Sequence, residues 1–188
     1  MKNPFKQLAP PFITQPATLG HQYPGNIFNA MIYPIRPYGI RGVVWYQGER
    51  NAKNVPQAVH YRHQLPRLIK YYRESWFKLS GGNTDPHFPF YFTQLPSWNA
   101  AQQLPVEGPE AAWAVSREMM RLVTQECKNT GMAVSIDTGD AIQLHPKNKR
   151  PIGIRHAYLA LRQTYGKEIV EYGPRFKSFE VDGKRLLL

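Results

Sequence analysis

The stretch Val43-Val44-Trp45-Tyr46-Gln47-Gly48-Glu49-Arg50-Asn51-Ala52, VVWYQGERNA, is apolar as far as Tyr46 and then turns polar around a single glycine. The apolar part, expected to begin near Gly39, reads as a short buried strand, and the Gln, Glu, Arg and Asn after it read as a tight turn at the strand's end. Two further runs, Pro89 to Leu95 (PFYFTQL) and Met132 to Asp137 (MAVSID), have the same character. Between and after these runs, apolar residues recur every three or four positions: Ala58, Tyr61, Leu65, Leu68, Tyr72 and Trp76; Trp113, Ser116, Met120, Val123 and Cys127; Ile154, Tyr158, Leu161 and Tyr165. That spacing predicts three helices whose stripes face a core. Strands joined by such long crossovers pair in parallel, with helices over both faces. The expected class is therefore α/β, a three-layer α/β/α sandwich around a parallel sheet.

Working outward, residues 1–25 hold Pro4, Pro10, Pro11, Pro16 and Pro24 and read as a lead-in, because each proline fixes φ and removes a backbone donor. Residues 26–166 read as the α/β domain. It opens on a short buried helix over Asn26 to Pro37 that Pro34 ends, and Pro66 is expected to kink the first long helix. From residue 167 the pattern alternates: KSFEVDG and KRLLL predict a hairpin turning at Asp182-Gly183, the start of a β module over residues 167–188.

A hydrophobic content of 42% without low-complexity runs or a fixed repeat excludes disordered and solenoid classes. The formal charge of +11 attracts phosphate whatever the fold, yet the basic residues are dispersed and the one local cluster, Lys147-Asn148-Lys149-Arg150, is short. A solvated basic surface is the better reading, so no nucleic-acid partner is expected. Cys127 is the single cysteine, which excludes an internal disulfide. The N-terminal residues show no apolar run of signal-peptide type and no stretch of about 18 apolar residues occurs, so no membrane partner is expected.

In an open parallel sheet, ligands bind beyond the carboxyl ends of the strands. Three polar loops qualify: Gln47 to Asn51, Gln94 to Asn99, and Asp137 to Pro146. His145 is the one histidine in such a loop and is the general-base candidate, the alternative being a loop histidine bonded to backbone. Gln47, Glu49 and Asn51 can supply amide donors and a carboxylate acceptor to an oxyanion or a sugar hydroxyl, or simply make a hydrogen-bonded turn. Asp137 and Asp140 can orient an imidazole, although both residue types are common at such positions for conformational reasons. No spacing supports zinc or a phosphate-cradling glycine loop, so no metal and no cofactor are expected.

The chain resembles the sialate O-acetylesterase domain of the SGNH hydrolase superfamily. The resemblance rests on the WYQGE-x-NA pattern at Trp45 to Ala52 and on a GD-x-x-x-[IL]-HP-x-NK pattern at Gly139 to Lys149, with shorter echoes at Phe28 to Ile32, Ser116-Arg117-Glu118 and Gly131 to Val134. It runs from about Pro24 to the C-terminus. It implies a serine-type carbohydrate esterase that removes O-acetyl groups from sialic acid or related sugars, so the expected partner is an acetylated sugar. His145 maps onto the family's catalytic histidine, and the loop holding Gln47, Gly48, Glu49 and Asn51 maps onto the block that forms the oxyanion hole and binds substrate. Family members are often exported.

Two departures shape the expectation. Many relatives carry Asp two residues before the histidine, where this chain has Gln143, which leaves Asp140 or a backbone carbonyl to orient His145. The family's GQSN-type nucleophile motif is absent, and Ser75, Ser80, Ser97, Ser116, Ser135 and Ser178 all lie in other contexts. The expected protein is thus an incomplete esterase domain, inactive by itself, whose nucleophile comes from a preceding segment or a partner polypeptide. The alternatives are a carbohydrate-binding remnant without catalysis and a basic nucleic-acid-binding protein.

Overall fold

Sheet pairing places all three predicted strands side by side, shorter than expected: β1 is Val43–Trp45, β2 Phe90–Thr93 and β3 Thr130–Ala133, parallel in the order β1-β2-β3. The computed structural model describes residues 25–104 and 108–187, so the expected lead-in, Gly25 apart, lies outside the described residues. The chain divides into two units, one of Lys70–His87 with the described residues up to Arg41, the other of Gly42–Ile69 with the residues from Phe88 onward. The sheet and all three polar loops belong to the second.

Cross-strand partners share a face, and the register sets Val44 beside Tyr91 and Trp45 beside Phe92. Both faces of β2 are fully covered, which is why its four residues, Phe90, Tyr91, Phe92 and Thr93, are all buried. Helix α1 (Val55–Leu79) starts where the Asn54 side chain accepts the Gln57 N–H at 2.9 Å, and it runs through Pro66 without interruption. Its Tyr61 hydroxyl accepts the Trp45 indole N–H, putting α1 on the Trp45/Phe92 face. Helix α2 (Ala112–Glu126) packs against β3 with Ser116, Met120 and Val123 buried, as the spacing predicts.

Helix α3 (Arg150–Leu159) covers the opposite face but buries a different stripe from the one expected. Ile154, Tyr158, Leu161 and Tyr165 are exposed, whereas Ile152, His156 and Leu159 face the sheet. Both stripes have helical spacing. The buried one contains a histidine, which a hydrophobic pattern discounts, and Thr93 of β2 supplies the partner that makes its burial tolerable: Thr93 Oγ1 and His156 Nε2 are 2.8 Å apart.

Other boundaries shift for local reasons. β3 ends at Ala133 because Ser135 donates its hydroxyl to the Gln94 carbonyl and the chain then tightens into a 3₁₀ turn over Ile136–Thr138. In the smaller unit the expected buried helix is a π-helical turn (Phe28–Ile32) running into a 3₁₀ turn (Tyr33–Ile35) that contains Pro34, and Met31 is 66% exposed. Over residues 25–41 the buried residue is Arg36, whose guanidinium lies 4.2 Å from the Tyr33 ring centre and 4.9 Å from that of Phe28. The C-terminal hairpin forms between β4 (Glu180–Asp182) and β5 (Arg185–Leu187), antiparallel, with its turn at Gly183-Lys184, one residue later than expected because Asp182 pairs with Arg185.

Candidate active site

The loop after β1 is a network of side-chain amides. Gly48 takes φ +157° and ψ −15°, open only to glycine, and a Cβ there would stand 3.2 Å from Leu95 Cδ2, so the turn closes against the loop after β2. Its N–H donates to the Glu49 carboxylate at 3.0 Å, which makes Glu49 a clasp for its own turn. Gln47 Nε2 donates to Asn51 Oδ1 and Asn51 Nδ2 donates to Gln64 Oε1, each at 3.0 Å. The Tyr61 hydroxyl donates to Gln47, with Oε1 at 3.0 Å and the backbone oxygen at 3.2 Å. Burial pushes the Tyr61 phenol up to about 12, so it remains a donor. An amide carries two N–H groups, and each of Gln47 and Asn51 has one committed. The chain of bonds therefore orients both amides while leaving each one donor.

The loop after β2 is pinned from α2. Trp113 Nε1 donates to the Pro96 carbonyl at 2.7 Å, and Arg117 donates from Nε to Leu95 O and from Nη2 to Pro96 O, both at 2.9 Å. Partial burial lowers the Arg117 pKa, but a guanidinium stays charged throughout the working range. Sequence reading left Trp113 and Arg117 without a role; the signal was Ser116-Arg117-Glu118, which marks the helix but not which way its guanidinium reaches.

The third loop carries His145, which is exposed. Asp140 Oδ1 accepts the backbone N–H of Ile142 at 2.8 Å and of Gln143 at 2.9 Å, bonds that lower its pKa and fold the chain into the turn before His145. Asp137 is held by Arg155, Nη1 to Oδ1 at 2.7 Å and Nη2 to Oδ2 at 2.6 Å, and its pKa is lowered by that pair. Among the described residues no hydrogen bond links His145 to Asp140, Asp137 or any serine. Asp140 thus shapes the loop, and the ring of His145 points to no fixed acid here. Among the described residues no cluster of three or more His, Cys, Asp and Glu side chains is disposed to hold a metal.

Three ties bring the loops together. Gly48 packs on Leu95, joining the first to the second. Backbone pairing of Trp98 with Asp140 joins the second to the third, and Gly139 lies so close to the Ser97 carbonyl that a Cβ there would overlap it. Lys149 Nζ, just past the third loop, sits 4.7 Å from the ring centre of Tyr46, just before the first, and so joins their flanks. Gln47, Asn51 and the His145 loop are consequently gathered at one edge of the sheet.

Comparison with known proteins bears on the family and the fold. The family model for carbohydrate esterase, sialic acid-specific acetylesterase, matches residues 19–160. The chain is 34% identical over 160 residues to sialate O-acetylesterase from Mus musculus, covering 82% of this chain and 29% of that protein. It is 30% identical over 167 residues to the Homo sapiens protein of the same name, covering 86% and 32%. A crystal structure of a carbohydrate acetylesterase from Xanthomonas citri superposes with a TM-score of 0.69 at 34% identity, over 85% of this chain and 34% of that one. The chain spans about a third of the length of these relatives.

Proposed function

Since the chain belongs to the carbohydrate esterase family of sialic acid-specific acetylesterases, we propose that it supplies the base and the oxyanion donors of a site that hydrolyses O-acetyl groups on sugars. The observation that carries this reading is the gathering of the Gln47 and Asn51 amides and the His145 loop at the carboxyl edge of the sheet. A serine contributed by a further part of the protein, or by a partner polypeptide, attacks the acetyl carbonyl carbon while His145 takes the hydroxyl proton. The carbonyl oxygen becomes an oxyanion that accepts the free N–H groups of Asn51 and Gln47. Collapse breaks the bond to the sugar oxygen, which leaves with the proton from His145. Water then repeats the sequence on the acyl-serine, releasing acetate.

The test is turnover of an acetylated sugar or aryl acetate by the protein as the cell makes it. His145→Ala should lower turnover at least ~100-fold with the fold unchanged, and undiminished turnover would remove the assignment. Asn51→Ala should lower kcat by roughly 10²-fold at nearly constant KM, because an oxyanion donor acts on the transition state. A change confined to KM would make Asn51 a substrate-binding residue.

A second reading, sugar binding without catalysis, is favoured by one feature: the ring of His145 has no orienting acid among the described residues. It predicts measurable affinity for a sugar in a protein that turns over no ester.

A further inference from the structure

We propose that Trp98 is the stacking platform for the sugar ring of the ligand, an inference that rests on the site's being one for sugars. Trp98 lies in the loop after β2, pairs through its backbone with Asp140 and so stands where the second and third loops of the site meet. Its ring packs against Trp113, centroids 5.5 Å apart and planes inclined by 44°, yet 40% of the residue remains exposed.

Three features distinguish it from an incidental surface aromatic. The ring's inner neighbour is itself fixed, because the Trp113 N–H is bonded to the Pro96 carbonyl at 2.7 Å. The backbone two and three residues before Trp98 is held by the Arg117 guanidinium at 2.9 Å. The residues on either side, Ser97 and Asn99, are exposed and polar, and Asn99 adopts φ +72°, which turns the chain directly after Trp98. A rigid apolar plate flanked by a hydroxyl and an amide matches one class of ligand, a pyranose. Such a ring presents C–H groups on its face, which pack on an indole, and hydroxyls at its rim, which bond to Ser97 and Asn99. Stacking on a fixed plate also spares the entropy of ordering a mobile side chain.

The experiment is titration of the protein with sialic acid and with methyl xyloside, neither of which carries a cleavable O-acetyl group, followed by tryptophan fluorescence and by NMR. Trp98→Ala should weaken binding about tenfold and Trp98→Phe by no more than about threefold, with the folded NMR spectrum retained in both. Equal affinities for wild type and Trp98→Ala would overturn the proposal, as would the absence of binding to wild type at millimolar sugar. Turnover of an acetylated sugar with the same KM in both proteins would also overturn it while leaving the esterase reading intact. Trp98-dependent sugar binding in a protein that cleaves no ester would do the reverse.

Discussion

The loops beyond β2 and β3 are held by different means. At the end of β2, Thr93 meets His156 inside the protein, and Arg117 and Trp113 cap the carbonyls of Leu95 and Pro96 on the other side. At the end of β3 Ser135 holds the Gln94 carbonyl inside the protein, but the loop beyond it is held by contacts nearer the surface: the Arg155–Asp137 pair, the Asp140 turn and the Lys149–Tyr46 stack. A buried polar group that loses its partner pays its full desolvation, so the first kind of contact is rigid. An exposed contact exchanges for water at little cost, so the second is adjustable. The loop carrying Trp98 is accordingly the more rigid of the two, and the loop carrying His145 the more adjustable.

The largest expected effect tests the rigid side by pH. His156 is 5% exposed, its Nδ1 has no hydrogen-bond partner among the described residues, and burial lowers its pKa from 6.5 to about 4. Above pH 6.5 the imidazole is neutral whether folded or not. As pH falls from 6.5 towards 4, the unfolded chain takes up a proton that the folded chain refuses, and stability is lost progressively over that window, by up to about 3 kcal/mol. Urea unfolding at pH 7 and at pH 4.5 should show this loss, and His156→Gln should remove most of it. An undiminished slope in that variant would mean that the buried pair does not discriminate between protonation states.

Next in size is Arg117→Met, which strips the charged donors from two carbonyls and should cost about 2 kcal/mol by chemical denaturation. If the loss is much smaller, the loop after β2 is not pinned as described.

The adjustable side should respond less. Lys149→Met removes the tie between the His145 loop and Tyr46 and should cost about 1 kcal/mol or less, while raising amide exchange across residues 139–149; Lys149→Arg should restore protection. Equal exchange in all three proteins would detach the two motifs from one another. The smallest effect is expected for Asp137→Asn: the Arg155–Asp137 pair is bidentate but well exposed, so the cost should stay below about 1 kcal/mol and shrink further in salt. A loss matching that of Arg117→Met would erase the contrast between the two strand ends.

What was legible in the sequence was periodic or punctuated. Short apolar runs bounded by polar turns gave β1, β2 and β3 to within a few residues, and the three- and four-residue spacing gave α1 and α2 with the correct buried faces, because one-sided burial leaves its period in the residue types. The two motifs likewise announced that Gln47, Asn51 and His145 belong to loops at strand ends. Contacts made by side chains distant in the chain leave no such trace. The buried face of α3 depended on Thr93 meeting His156, 63 residues away. The role of Arg117 depended on carbonyls in another loop, and Asp140 turned to its own backbone and not to His145. A hydrogen bond is decided by where donor and acceptor lie in space, and residue spacing cannot state that until the sheet has set the register of its strands.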